Sequence, residues 1–334
     1  MIRRALIVGM GSIGRRHLRL LREALPEADI RILRHTEALD SNKDADGFFF
    51  RLEDACNFAP ELAVIANPSP FHVPVALPLA EAGANLLVEK PLSEKSDDVE
   101  ELISRCASGK QVLYVGYNLR FLETLRFFRD ALVSGCIGQI QSIHSAVGQF
   151  LPEWRPELDY RNTVSAKKEL GGGVLLELSH DIDILNWIFG DVDWVNAWLG
   201  KKGNLDIDVE DHAFLQIGFN SGPVANLSLD FLRRDTTREC TAIGAKGTLH
   251  WDAIKGRVSL YRPDKASWEV LSSHEPDRDS TYRAQLEAFL NEIKGIRNEV
   301  AARGIDGLEV VKLIEAARLS DTQNGQRIVP RAAQ

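Results

Sequence analysis

The sequence predicts an α/β protein with an N-terminal doubly wound parallel sheet of the Rossmann type and a C-terminal α/β domain on a mainly antiparallel sheet. Three observations carry this. Short apolar runs alternate with amphipathic helices over roughly the first 115 residues, which implies parallel strands joined by right-handed crossovers. The glycine loop "GMGSIG" follows the first of those runs directly and precedes a helix. Beyond residue 118 the texture changes to strand-length segments of period two separated by turn residues, the mark of a half-buried antiparallel sheet.

Taken in order, "RALIVG" is an apolar run closed by glycine, the pattern of a strand buried on both faces. "GRRHLRLLREAL" follows as a helix with Leu18, Leu21 and Leu25 on one stripe. "DIRILRH", "ELAVIANP", "ANLLVEKP" and "QVLYVGYN" read as further strands. Between them "HVPVALPLAEAG", ended by Gly83, and "SDDVEELISRCASG", with Ser96 as its N-cap and Gly109 near its end, read as helices. Then come the strand-like "IQSIHSAVGQF", "HAFLQIGF", "VANLSLDFL", "ECTAIGAKGTLHWD" and "RVSLYRP". One glycine-led helix, "ELGGGVLLELSHDIDILNWIFG", interrupts them, and "YRAQLEAFLNEIKG" and "DGLEVVKLIEAARLS" are helical. A chain of 334 residues, 44% hydrophobic, exceeds one comfortable core. The expected domains are 1–118 and 119–334, with the C-terminal helix, about 306–320, packing near the first.

Composition excludes several classes. A formal net charge of -8 argues against a nucleic-acid surface, which needs clustered Lys and Arg. Nothing approaches the roughly 20 apolar residues of a membrane helix, and the apolar stretch of "MIRRALIVGMG" is too short and glycine-broken for a signal peptide. The four cysteines, Cys56, Cys106, Cys136 and Cys240, are scattered without CxxC or ligand spacing. They read as reduced thiols of a cytoplasmic protein, with no metal site.

The loop Gly9, Gly11, Ser12, Ile13 and Gly14 has the composition of a dinucleotide site. Its glycines permit a tight turn and let backbone N–H groups and a helix N-terminus meet a pyrophosphate. The second strand of such a fold normally ends in a carboxylate that binds the ribose of NAD. Here it ends in Arg34, His35 and Thr36. A guanidinium and a hydroxyl suit the 2′-phosphate of NADP, so NADP is favoured and NAD remains open. Alternatively Arg34 stacks on the adenine or points to solvent.

The helix after the glycine run holds too many charges for its apolar surroundings. Glu177, His180 and Asp183 stand at i, i+3 and i+6, one polar stripe on a helix, and Asp181 borders it. An imidazole beside carboxylates is a sound general base, since a carboxylate orients the ring and stabilises its charged form. A satisfied buried ion pair is the alternative. The polar, aromatic loop "LPEWRPELDYRNTVS" offers Trp154, Tyr160 and Arg161 to stack on a sugar and grip an anionic group, or it is simply an ordered surface loop.

"EKP" (Glu89, Lys90, Pro91) with "NPSPFHVPVALPLAEAG" before it and "GYNLRF" and "GCIGQI" after it, together with "GGGVLLELSHDID", "AKGTL" and "GIDGLEVVKLIEAARLS", resembles the Gfo/Idh/MocA oxidoreductases. The likeness runs from Gly9 to Ser320. It implies a Rossmann domain, a C-terminal α/β domain with a large, open, mainly antiparallel sheet, and homodimers or homotetramers packed through that sheet. It also implies NAD(P)-dependent hydride transfer at a carbinol or carbonyl of a sugar, sugar derivative or polyol. By the same resemblance Asn67, Pro68, His72, Glu89 and Asn118 lie at the cofactor, Lys90 lies beside both nicotinamide and the reacting hydroxyl, and Arg120 is near the substrate. His180 is the catalytic acid/base. The family pattern Asp-x-x-x-His-x-x-Asp is altered here: His180 and Asp183 are kept, but Glu177 replaces the first Asp and stands three residues before the histidine. Which of Glu177, Asp181 and Asp183 orients the ring stays open. Two rival readings are a non-catalytic nucleotide-binding regulator and a reductase of a non-sugar substrate of the dihydrodiol or biliverdin type.

Overall fold

The computed structural model describes residues 2–34, 42–275 and 277–330. The chain forms two compact units, Met1–Asn118 with Asp279–Val311, and Leu119–Arg278 with Lys312–Gln334. Among the described residues no helix is long and apolar enough to cross a membrane.

The first unit runs β1 (Arg4–Val8), α1 (Ser12–Ala24), β2 (Asp29–Leu33), β3 (Gly47–Phe49), α2 (Leu52–Asn57), β4 (Leu62–Ile65), α3 (His72–Glu81), β5 (Asn85–Val88), α4 (Asp97–Gly109) and β6 (Leu113–Val115). Its six parallel strands take the order β3-β2-β1-β4-β5-β6. Central β1 and β4 are buried from Ala5 to Val8 and from Leu62 to Ile65, which is why they read as unbroken apolar runs. Strand order reverses between β1 and β4, so the loops leaving their carboxyl ends lie at the topological switch point, where such sheets bind ligands. β3 was not anticipated, because three residues are too few to show a period. Ser96 stands at the N-cap position of α4 as expected, though its backbone is already helical and its side chain makes no capping bond. At the other end Gly109 stays within α4, and Lys110 takes the left-handed turn at φ +58°.

The second unit comprises α5 (Glu123–Val133), β7 (Ile140–Gly148), α6 (Val174–Glu177), α7 (Ser179–Phe189), β8 (Val192–Gly200), β9 (His212–Phe219), β10 (Val224–Asp230), β11 (Thr237–Gly244), β12 (Gly247–Asp252), β13 (Arg257–Arg262) and β14 (Ser267–Ser273). The eight strands order as β14-β13-β12-β11-β7-β10-β9-β8. All neighbours are antiparallel except β7 and β10, which pair in parallel from Ser142–Val224 to Gly148–Asp230. "ECTAIGAKGTLHWD" proves to be a hairpin of β11 and β12 closing at Gly244 and Gly247. β8 and the edge strand β14 escaped the sequence reading; β14 is mostly exposed and shows no buried alternation. One sheet face carries Ile143, Leu215, Leu227 and Ala242 into the core. On that face Trp251 donates to Thr124 of α5 at 3.1 Å. The opposite face presents His144, Asn196, Trp198, Phe214 and Asn226 around a concavity of about 780 Å³.

The chain ends in α8 (Arg278–Ile293) and α9 (Gly304–Thr322). Residues 279–311, placed by sequence in the second domain, belong to the first unit. The reason lies at edge strand β6, whose backbone needs partners. Gln285 of α8 donates to the Val115 carbonyl at 3.0 Å, and the Val115 N–H donates to Ala302 O at 2.9 Å. Beside them Tyr114 hydrogen-bonds Glu292, which Arg303 also grips.

Candidate active site

In the first unit the glycine loop has three separate steric jobs. Gly9 sits at φ +86°, and a Cβ there would lie 2.8 Å from Ala66 O. A Cβ on Gly14 would fall against the Gly9 carbonyl, so helix and strand approach only with glycine in place. At Gly11 a Cβ would meet nothing, so the backbone there is open to a close ligand. α1 begins at Ser12 with no side-chain cap and no acidic residue in its first turn. The helix N-terminus, with Ser12 and Ile13, is therefore left to an anion. The residues fit a dinucleotide pyrophosphate.

Arg34 follows β2. Its backbone N–H donates to Phe49 O at 3.0 Å, and its guanidinium stands over the Phe48 ring, 4.7 Å from the centroid. Its Nε is buried with no hydrogen-bond partner among the described residues. His35 and Thr36 lie outside the described residues. Beyond β4, Asn67 donates to Phe71 O at 3.2 Å, and Pro68 precedes a single 3-10 turn leading into α3. His72 is buried with Nδ1 2.9 Å from Pro91 O and Nε2 2.8 Å from Asn67 O. Burial pushes its pKa down more than those two carbonyls raise it, so the ring is neutral and one N–H serves one carbonyl at a time. His72 thus ties two strand-end loops together.

Lys90 is half-buried just past β5 and joined to Pro91 by a cis peptide. The preceding Glu89 is buried, with Oε1 2.7 Å from His17 Nε2 and Oε2 accepting the Lys90 backbone N–H at 3.2 Å. Burial pushes the Glu89 carboxyl up, but the His17 hydrogen bond and the charges of His17 and Lys90 outweigh it and hold the carboxyl below its ordinary range. Gly116 is glycine because a Cβ there would sit 2.7 Å from Glu89 Oε2. Asn118 donates to Thr281 of α8 at 2.7 Å, both buried.

In the second unit the triple glycine makes room for carbonyls and a carboxylate. A Cβ on Gly172 would lie 2.5 Å from Val164 O, and one on Gly173, at φ +104°, 2.5 Å from Glu210 Oε1. That carboxylate and the Glu210 carbonyl accept from the first N–H groups of α6, Leu175 and Val174, each at 3.2 Å. The helix expected over the whole segment is broken. Leu178, at φ −98° and ψ +20°, separates α6 from α7 and leaves His180 as the second residue of α7. Helical spacing therefore does not set Glu177 against His180, and the single stripe drawn from sequence is corrected.

The buried acids beside His180 are neutralised by arginines from elsewhere in the chain. Asp183, 1% exposed, takes Arg120 in a bidentate pair, Nε at 2.9 Å and Nη2 at 2.6 Å. Arg120, itself 3% exposed, lies over Trp187, 5.4 Å from its ring. It is a buried tether, not an open substrate grip. Asp181 lies 3.2 Å from Arg238 Nη2 of β11, and burial pushes its pKa up against that pull. In the preceding loop Trp154 donates to Gln149 O at 3.0 Å and packs edge-on against Phe231. Tyr160 accepts the Asp206 N–H at 3.1 Å, and Arg161 pairs in bidentate fashion with Asp159 of its own loop.

His17, Gly116, Arg238 and Glu210 were missed by sequence reasoning. His17 alone had a local signal, an ionisable ring on the buried side of α1. Burial raises Cys106 to about 11 and Cys240 to about 12, so neither supplies a thiolate at neutral pH. Among the described residues no three His, Cys, Asp or Glu side chains are grouped as a metal site.

Two family profiles match the chain. One, an oxidoreductase-family NAD-binding Rossmann fold, covers residues 3–117, and the other, an oxidoreductase-family C-terminal alpha/beta domain, covers residues 129–329. The 1,5-anhydro-D-fructose reductase of Ensifer adhaerens is 26% identical over 279 residues, 78% of this chain and 79% of that protein. The myo-inositol 2-dehydrogenase of Thermotoga maritima is 25% identical over 338 residues, 94% and 95% of the two chains. The WlbA dehydrogenase from Bordetella pertussis, solved with NADH and UDP-GlcNAcA, is alike in fold, with a TM-score of 0.83 over 100% of both chains at 22% identity.

Proposed function

The chain belongs to the Gfo/Idh/MocA oxidoreductase family, and from that premise we propose an NAD(P)-dependent dehydrogenase or reductase of a sugar, sugar derivative or polyol, with NADP preferred. The single observation that carries the reading is the glycine cradle at the switch point, opening onto an uncapped helix N-terminus in the same unit as Lys90. When bound, the dinucleotide supplies a hydride acceptor or donor at nicotinamide C4. Lys90 donates a hydrogen bond to the reacting oxygen and stabilises charge developing there. His180 takes the hydroxyl proton on oxidation and returns it on reduction. Asp183, on the same helix as His180 and clamped by Arg120, and Glu177, the last residue of α6, are the carboxylates assigned to orient the His180 ring. Trp154, Tyr160 and Arg161 belong to a loop that contacts the substrate.

Several features support the finer assignments. The exposed aromatic pair Trp198 and Phe214, stacked at 5.8 Å on the outer sheet face, suits a homodimer or homotetramer. Four free thiols suit a cytoplasmic setting.

The test is a spectrophotometric screen of NADPH oxidation and NADP reduction against 1,5-anhydro-D-fructose, myo-inositol, UDP-GlcNAcA, sugar acids and simple sugars. Turnover of at least one is expected. Tight NADPH binding with no turnover across the set would replace the enzyme by a nucleotide-binding regulator.

For the cofactor, the support is Arg34, cationic at the end of β2, whose Nε has no hydrogen-bond partner among the described residues. Arg34→Asp should shift the ratio of NADPH to NADH dissociation constants by roughly 10- to 100-fold toward NADH, the size of one or two charge-assisted hydrogen bonds. Fluorescence titration reads it without any substrate, and an unchanged ratio would refute the NADP preference.

A further inference from the structure

We propose that His17 is a positioning residue for Lys90, acting through Glu89 and coupling the dinucleotide-binding helix to the proton-handling end of β5. The inference rests on the role given to Lys90 above. α1 begins at the phosphate cradle, and His17, its sixth residue, is 1% exposed. The ring is fixed on both sides. Its Nε2 lies 2.7 Å from Glu89 Oε1, and its face meets the Tyr282 ring edge-on at 5.5 Å and 75°. Tyr282 is in turn covered by Arg16, whose guanidinium stands 5.0 Å from the ring centroid and reaches Asp279 at 3.1 Å.

Glu89 has a second oxygen, and it accepts the backbone N–H of Lys90 itself at 3.2 Å. Its own N–H donates to Ile65 O at 2.9 Å, which fixes it to β4. On the far side of Lys90 the Pro91 carbonyl is 2.9 Å from His72 of α3. Both residues flanking Lys90 are therefore held by buried histidines, one on the helix that starts at the cradle. A buried carboxylate without a partner is costly, so Glu89 keeps this orientation only while His17 is there to donate. Without that donor the carboxylate would turn toward water, release the Lys90 N–H and let the lysine drift. A displacement of about 1 Å at a reacting group is enough to cost roughly a hundredfold in rate.

The test uses the full chain with NADPH and the best substrate of the screen. His17→Leu removes the donor and keeps the volume, and His17→Gln restores an N–H at similar reach. His17→Leu should lower kcat by roughly 10- to 100-fold while substrate KM and the NADPH dissociation constant stay within about threefold, and His17→Gln should recover most of the loss. In a Lys90→Ala background His17→Leu should cost less than about twofold more, because the residue it positions is gone. The same factor lost in both backgrounds, or no rescue by Gln, would make His17 merely structural and overturn the proposal. If Lys90→Ala alone left turnover intact, the role of Lys90 would fail, and this inference with it. Should His17→Leu not fold, Glu89→Gln run through the same cycle decides the matter by the same criteria.

Discussion

Replacing His180 with Ala should lower kcat by roughly two to four powers of ten, the usual worth of a positioned acid/base group. The fold should hardly notice. His180 is only half-buried at the start of α7, and the acids around it are committed to the scaffold through Arg120 and Arg238. Removing the ring deletes a proton carrier and leaves those ion pairs intact. Affinity for NADPH should stay within about threefold, because the phosphate cradle at Gly9 to Gly14 is built by the first unit and His180 by the second. Steady-state kinetics, a thermal melt and a fluorescence titration separate the three quantities. Turnover within tenfold of the unmodified protein would remove His180 from the acid/base role. A parallel fall in melting temperature would assign the ring to packing.

What sequence made legible was local. The cradle could be read because three glycines, a strand before and a helix after fall within a dozen consecutive residues, and the clash that requires Gly14 is with Gly9 of the same loop. Period-two alternation likewise exposed most strands of the large sheet, and it failed at β14, where neither face is buried. The contacts that organise the candidate residues within each unit are not local. His17 and Glu89 are 72 residues apart, and Arg120 and Asp183 are 63 apart, so no periodicity ties them. The interruption at Leu178 was hidden for a different reason. Apolar residues continue at helical spacing across it, since both short helices bury the same kind of surface, and only the backbone angles reveal the break. A polar stripe through 177, 180 and 183 requires a straight helix, and with the break at Leu178 only His180 and Asp183 keep their i, i+3 spacing, on α7.

Asp183→Ala should destabilise the second unit by about 3–5 kcal/mol, the usual consequence of leaving one partner of a buried ion pair alone. Arg120 is buried and takes Asp183 through two parallel hydrogen bonds, so the lost carboxylate removes two charge-assisted bonds from a guanidinium that stands over Trp187 with little access to water. Truncation to Ala adds a smaller cavity term. The paired substitution Arg120→Met with Asp183→Leu should recover most of the loss, because an apolar pair of similar volume has no charge to desolvate. All six tryptophans lie between Trp154 and Trp268, in the second unit, so fluorescence excited at the indole edge follows the unfolding of that unit by urea without contribution from the first. A midpoint that falls for the single variant and returns for the double one, with the slope unchanged, is the expected record. A single-variant loss under about 1 kcal/mol would mean that Arg120 finds another anion or water, as exposed pairs do. In that case Asp183 would be released from the scaffold and become the leading candidate for the carboxylate that orients His180.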